Sequence, residues 1–132
     1  MAGFKEIFQA ADWKTEKHAP VIEVAQDKVK KADTVNISIS VGKQIPHPNT
    51  TEHHISYIEV FFLPKGEKFP YNIARVEFNA HGASAGGPNT STVFTHPSVS
   101  VNLKTEKSGS IIASSYCNIH GLWESSREIT VE

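Results

Sequence analysis

One cysteine and seven histidines are the residues of this 132-residue chain best suited to chemistry. Cys117 and His120 stand three positions apart in Tyr116-Cys117-Asn118-Ile119-His120-Gly121, where an alternating segment gives way to a turn. In a turn the thiol and the imidazole can converge on one metal ion. A thiolate is a soft, strongly donating ligand, and imidazole suits zinc, copper and iron. A lone C-x-x-H also describes a buried, inert cysteine beside a surface histidine, so the pair needs company.

Company is close by. Pro46-His47-Pro48-Asn49-Thr50-Thr51-Glu52-His53-His54 places three histidines in one loop. Its two prolines stiffen the chain around His47 and lower the entropy cost of holding a ligand in place. His53 and His54 are adjacent; within a strand they would point to opposite faces, so one of the two reaches a shared centre. A third stretch, Thr15-Glu16-Lys17-His18-Ala19-Pro20, reads alone as a surface charge run with a histidine in it. Together the three supply His18, His47, His53 or His54, Cys117 and His120. Four imidazoles and a thiolate exceed a tetrahedral zinc site, which closes at four ligands. Five protein ligands with a sixth position open suggest iron. His81 reads as a structural residue, His96 beside Pro97 as a solvated one, and Trp13 and Trp123 as core or site wall.

These loops need a frame, and the sequence between them has the period of strands. Thr34 to Val41 alternates polar and apolar without a break, the mark of a half-buried strand. Val21–Val24, Ile55–Leu63, Ile73–Asn79, Ser91–Thr95, Ser98–Leu103, Gly109–Tyr116 and Glu128–Val131 are further candidates, separated by Pro-, Gly- and Asn-containing turns. About eight short strands without a long helix predict an antiparallel β-sandwich, although spacing alone does not separate it from a small barrel. Phe4, Ile7, Phe8 and Ala11 have helical spacing, enough for a turn or two of helix or an irregular docking segment. No repeat or linker interrupts the chain, so residues 1–132 are expected to form one all-β domain.

Composition removes several functions. Thirteen basic and fourteen acidic side chains give a formal charge of −1, with no electrostatic footprint for nucleic acid or an anionic membrane. The apolar run Val60-Phe61-Phe62-Leu63 is far below the ~20 residues of a membrane span. Met1 to Gln9 does not have the pattern of a signal peptide. A single cysteine excludes an intrachain disulfide and suits a reducing, cytoplasmic setting.

Glu16-Lys17-His18-Ala19-Pro20, Gly42 to Ile55, and Tyr116 to Trp123, in this order and spacing, resemble the superoxide reductase family. The resemblance is to its single-iron form, also called neelaredoxin and related to the desulfoferrodoxin iron-binding domain. It runs from about Phe4 to Trp123. Ala19 departs from the valine common before the proline, a change that concerns packing. The four cysteines that hold a second iron in the two-iron form have no counterpart here.

The resemblance implies an immunoglobulin-like β-sandwich of seven to eight strands with one mononuclear iron. It makes His18, His47, His53 and His120 the equatorial ligands and Cys117 the axial one. His53 is selected over His54 because the family's second histidine lies six residues after the first, and His120 is implied to bind through Nδ1. Lys17 corresponds to the lysine that attracts superoxide, and Glu16 to the carboxylate that takes the sixth metal position in the ferric resting state. The implied reaction is one-electron reduction of superoxide to hydrogen peroxide, a detoxification that draws on rubredoxin or a similar small electron donor. Homo-oligomers, often homotetramers, are implied too. A cupredoxin-type electron carrier is the alternative, but its axial ligand is usually methionine and the only one here is Met1.

Overall fold

Eight strands carry the chain: β1 (Val21–Val24), β2 (Lys28–Val29), β3 (Val35–Ser40), β4 (Ile55–Pro64), β5 (Tyr71–Glu77), β6 (Ser98–Leu103), β7 (Gly109–Cys117) and β8 (Gly121–Val131). The structure, a computed structural model, describes residues 1–132. One helical turn, α1 (Phe4–Ile7), comes first. The strands form a three-stranded sheet in the order β1-β3-β6 and a five-stranded sheet in the order β2-β8-β7-β4-β5. All pairings are antiparallel except the two-residue contact of β2 with β8. No helix is long and apolar enough to cross a membrane.

Alternation in the sequence becomes alternation in burial. Val35, Ile37 and Ile39 of β3 face Ile58, Val60 and Phe62 of β4 and Ile111 and Ala113 of β7 across one hydrophobic core. This is the antiparallel β-sandwich predicted above, with the inner faces of two sheets closing on each other. On β7 the inward phase runs Ile111, Ala113, Ser115, Cys117, so strand period alone turns the thiol inward. On β4 the phase slips: Ile55 is buried, and then Ile58, Val60 and Phe62. A register shift between Ile55 and Tyr57 against β7 absorbs the extra residue. Such a bulge re-aims the chain directly after the His53 loop.

Three segments differ from the sequence expectation. Ser91–Thr95 is not a strand; it makes one isolated bridge, His81 with Phe94. The Ser91 hydroxyl takes the Val93 N–H at 2.9 Å, and the Thr95 N–H goes to the Ala80 carbonyl, so local bonds replace a ladder. β8 begins at Gly121, seven residues before the expected start, because its first half pairs with β7 yet shows polar side chains outward. β2 is too short to leave a period in the sequence.

Candidate metal centre

The loops that carry the candidate ligands meet at one end of the sandwich. Nitrogens of His18, His47 and His53 and the Cys117 sulfur lie within 4.8 Å of one another. His120 completes the group, its Nδ1 3.1 Å from His18 Nε2 and 3.8 Å from the Cys117 sulfur. The rings stand in a square. Neighbouring centroids are separated by 4.8 Å (His18–His47), 4.7 Å (His47–His53), 5.0 Å (His53–His120) and 4.7 Å (His120–His18). The His18–His53 diagonal is longer, at 6.4 Å, as a square requires.

Local chemistry explains each position. Cys117 and Gly121 are paired ends of a hairpin whose loop is Asn118-Ile119-His120. Gly121 sits at φ 82°, a left-handed conformation that glycine adopts without penalty and that short hairpin loops use. The loop turns the His120 N–H onto the Cys117 sulfur at 3.3 Å. The Asn118 N–H goes instead to the His54 carbonyl, while the Asn118 side chain bonds the His54 N–H and the Glu52 carbonyl. The thiol strand and the histidine loop are thereby tied together. Ser115, fully buried, donates its hydroxyl to the His18 carbonyl at 3.0 Å.

The donor atoms fit a metal. Buried polar atoms are nearly always hydrogen-bonded, yet the buried Nε2 atoms of His47 and His53 have no partner in the protein. His47 donates its Nδ1–H to the Pro48 carbonyl at 2.7 Å, which fixes the tautomer and leaves Nε2 bare for coordination. Burial pushes the His47 imidazole down to about 4, with His18, His53 and Lys17 adding to the effect and the Pro48 carbonyl opposing it. His53 is lowered as well, first by burial and then by the charges of His120, His18 and Lys17. Both are thus held neutral, the form that binds metal.

Glu16 and Lys17 flank the group. Burial raises the Glu16 carboxyl, but hydrogen bonds from the His18 ring and from the His18 and Ala19 N–H groups outweigh it and the net shift is downward. The backbone bonds measure 2.7 and 2.9 Å, and the His18 Nδ1–H closes the set. The structure therefore does not bring the Glu16 carboxylate into the metal-binding group; it holds that carboxylate against the back of His18. Lys17 is half-buried, and its charge is felt at both His47 and His53. Trp13 lies nearby in sequence with the Lys14 and Lys43 ammonium groups 5.7 and 5.6 Å from its ring.

Of the remaining histidines, His54 turns away and stacks on His81 at 3.6 Å. His81 is satisfied by the Asn49 side chain and the Phe78 carbonyl, as a structural residue should be. His96 is exposed. Trp123 forms a wall of the site, stacked on His18 at 4.9 Å. Backbone N–H groups from Asn118 to His120 are expected from sequence to bond the sulfur; His120 does and Asn118 does not, while Gln9 and Ser115 are not singled out there. Only Ser115 left a signal there, a polar residue in the inward phase of an apolar strand.

Four imidazoles in a square with one buried cysteine sulfur, at the end of a β-sandwich, define a candidate site for a single metal ion. The chain belongs to the desulfoferrodoxin family, whose model matches residues 10–126. It is similar to the superoxide reductase of Pyrococcus furiosus, 56% identical over 127 residues covering 96% of this chain and 98% of that protein. A crystal structure of a provisionally assigned superoxide reductase from Thermotoga maritima superposes with a TM-score of 0.96 at 55% identity, covering 100% of this chain and 99% of that one. The reduced superoxide reductase (neelaredoxin) of Archaeoglobus fulgidus gives 0.87 at 56% identity, covering 94% and 98%. The family binds iron, and the group of donors described above suits that metal.

Proposed function

We propose that this protein is a superoxide reductase: it converts superoxide, one electron and two protons into hydrogen peroxide, and so detoxifies superoxide. The observation that carries this reading is the square of His18, His47, His53 and His120 with Cys117, in a chain of this family. Iron held by these five side chains would supply one-electron redox chemistry.

The protein's own residues do the rest. Lys17 draws the anion toward the centre although the chain as a whole carries −1, because nearby charge dominates at short range. Cys117 donates electron density as a thiolate, tempered by the N–H of His120 on its sulfur. Glu16 orients His18 through its carboxylate in the arrangement described above. The same carboxylate, if those three bonds were released, would be available as a further ligand to the metal in the oxidised protein.

The electron donor is rubredoxin or a similar small redox protein. Ile119, 56% exposed between Cys117 and His120, offers it an apolar contact beside the centre. The protein is read as a cytoplasmic homotetramer. Exposed Phe69, Tyr71, Val76, Val93 and Phe94 supply apolar surface for assembly, and the lone cysteine suits a reducing compartment.

Stoichiometry tests the reading. Iron-loaded, reduced protein mixed with superoxide should yield one peroxide per superoxide consumed and release no dioxygen. Release of dioxygen with one peroxide per two superoxides would assign a dismutase instead.

A further inference from the structure

His120 is the exposed member of the square, at the tip of a three-residue loop where a chain is ordinarily loose. The peptide that follows it leads into Gly121, whose φ of 82° leaves no side chain to resist a flip of that peptide. Two donors from elsewhere hold it. Gln9 Nε2 donates to the His120 carbonyl oxygen at 3.0 Å, and the Trp123 indole N–H donates to the same oxygen at 3.2 Å. A carbonyl oxygen has two lone pairs, so its capacity is filled. The same indole lies nearly parallel to the His18 imidazole, with 12° between the planes.

Gln9 is itself pinned. Its N–H donates to the Leu122 carbonyl at 3.0 Å and its carbonyl accepts the Glu124 N–H at 2.8 Å, a one-residue parallel bridge to Trp123. The N-terminal segment is thus joined to β8 at the residue that touches the metal-binding group.

We propose that Gln9 and Trp123 form a clamp that positions two ligands at once: both hold the His120 peptide, and Trp123 also fixes the plane of the His18 ring. The clamp rests on the reading of His18 and His120 as metal ligands. Neither clamp residue touches the metal. They act by keeping His120 Nδ1 and His18 Nε2 aimed inward, so their loss should loosen the metal and distort its geometry.

Co2+ alone is the probe, titrated into the metal-free protein and four variants. Its thiolate charge-transfer absorption reports binding and its d–d bands report geometry. Trp123→Ala loses ring and donor and should raise the Co2+ Kd about 10–100-fold, the usual cost of an outer partner of a ligand. Gln9→Ala and Trp123→Phe each remove one donor and should raise it roughly fivefold. Both should shift the d–d bands and leave the urea midpoint of the metal-free protein unchanged. The Gln9→Ala/Trp123→Phe double variant should lose more than either single, because both donors hold the same carbonyl oxygen. If Trp123→Ala does not fold, Gln9→Ala and Trp123→Phe carry the test. Kd values within about twofold of wild type, with unmoved d–d bands, overturn the clamp. A wild-type spectrum without the thiolate band takes down the ligand reading and the clamp together, whereas a normal wild type with unmoved variants sinks the clamp alone.

Discussion

His47 and His53 hold their Nε2 atoms buried and unpartnered, a condition that costs free energy unless a metal satisfies it. Lys17 contributes differently, through field rather than contact. A unit charge about 6 Å from an incoming anion is worth roughly 0.7–2.8 kcal/mol for effective dielectric constants of about 80 to 20. Lys17→Ala should therefore slow the second-order reaction with superoxide between a few-fold and about a hundredfold, and flatten its dependence on salt. Pulse radiolysis at two ionic strengths measures both, and an unchanged rate at low salt removes the residue from the mechanism. Glu16→Ala should leave that capture rate within about threefold, yet change the absorption spectrum of the oxidised protein as His18 loses its orienting partner. Loss of capture itself would show that Glu16 has been given the wrong task.

At the level of elements, the β7–β8 hairpin is the smallest unit that carries the chemistry. Strand period points Cys117 inward, three residues turn the chain, and Gly121 closes the turn with a positive φ. Gly121→Ala puts a side chain where that conformation costs roughly 1–2 kcal/mol. It should lower the stability of the metal-free protein by about that amount and weaken metal binding as well, since His120 precedes the strained residue. Urea melts and Co2+ titration check the two effects separately. The hairpin also shows why part of the site could be read in advance. C-N-I-H-G writes a thiol, a turn and an imidazole in consecutive residues, and the proline-flanked His47 loop writes its purpose in the same way. Strands with an unbroken alternation, such as β3, are equally plain. What could not be read is contact between distant segments. Gln9 meets His120 across 111 positions and Ser115 meets His18 across 97, and no local pattern records either. β8 hid for a related reason: its outward Glu124, Ser126 and Glu128 leave little apolar signal, although its pairing with β7 is continuous. Ser91–Thr95 misled in the opposite direction, since β-prone residues there are held by side-chain bonds in a brace over the His47 loop.

Taken as one molecule, the chain has a single core that both sheets share, with the metal-binding group built onto its end. Stability and site are therefore coupled, and pH reveals the coupling. An imidazole in an unfolded chain titrates near 6.5, whereas the folded environment brings His47 to about 4 and lowers His53 too. Between those values the unfolded chain takes up protons that the folded one refuses. Stability therefore rises with pH in this window: the full contribution is present above about 6.5 and is lost as pH falls toward about 4. The metal-free protein should thus unfold in urea as one cooperative transition, consistent with residues 1–132 acting as one unit. Its midpoint should drop steadily from pH 7 to pH 4.5. His47→Gln, which keeps a polar side chain of similar reach but cannot take up the proton, should lose less over the same range. Bound iron should raise the midpoint throughout, by an amount that shrinks as protons compete for the thiolate and the imidazoles, so the gap between loaded and metal-free midpoints should narrow as pH falls. A flat midpoint in the metal-free protein would mean that the histidines are solvated rather than held neutral by burial. Two separated transitions would mean that the sheets do not share one cooperative core.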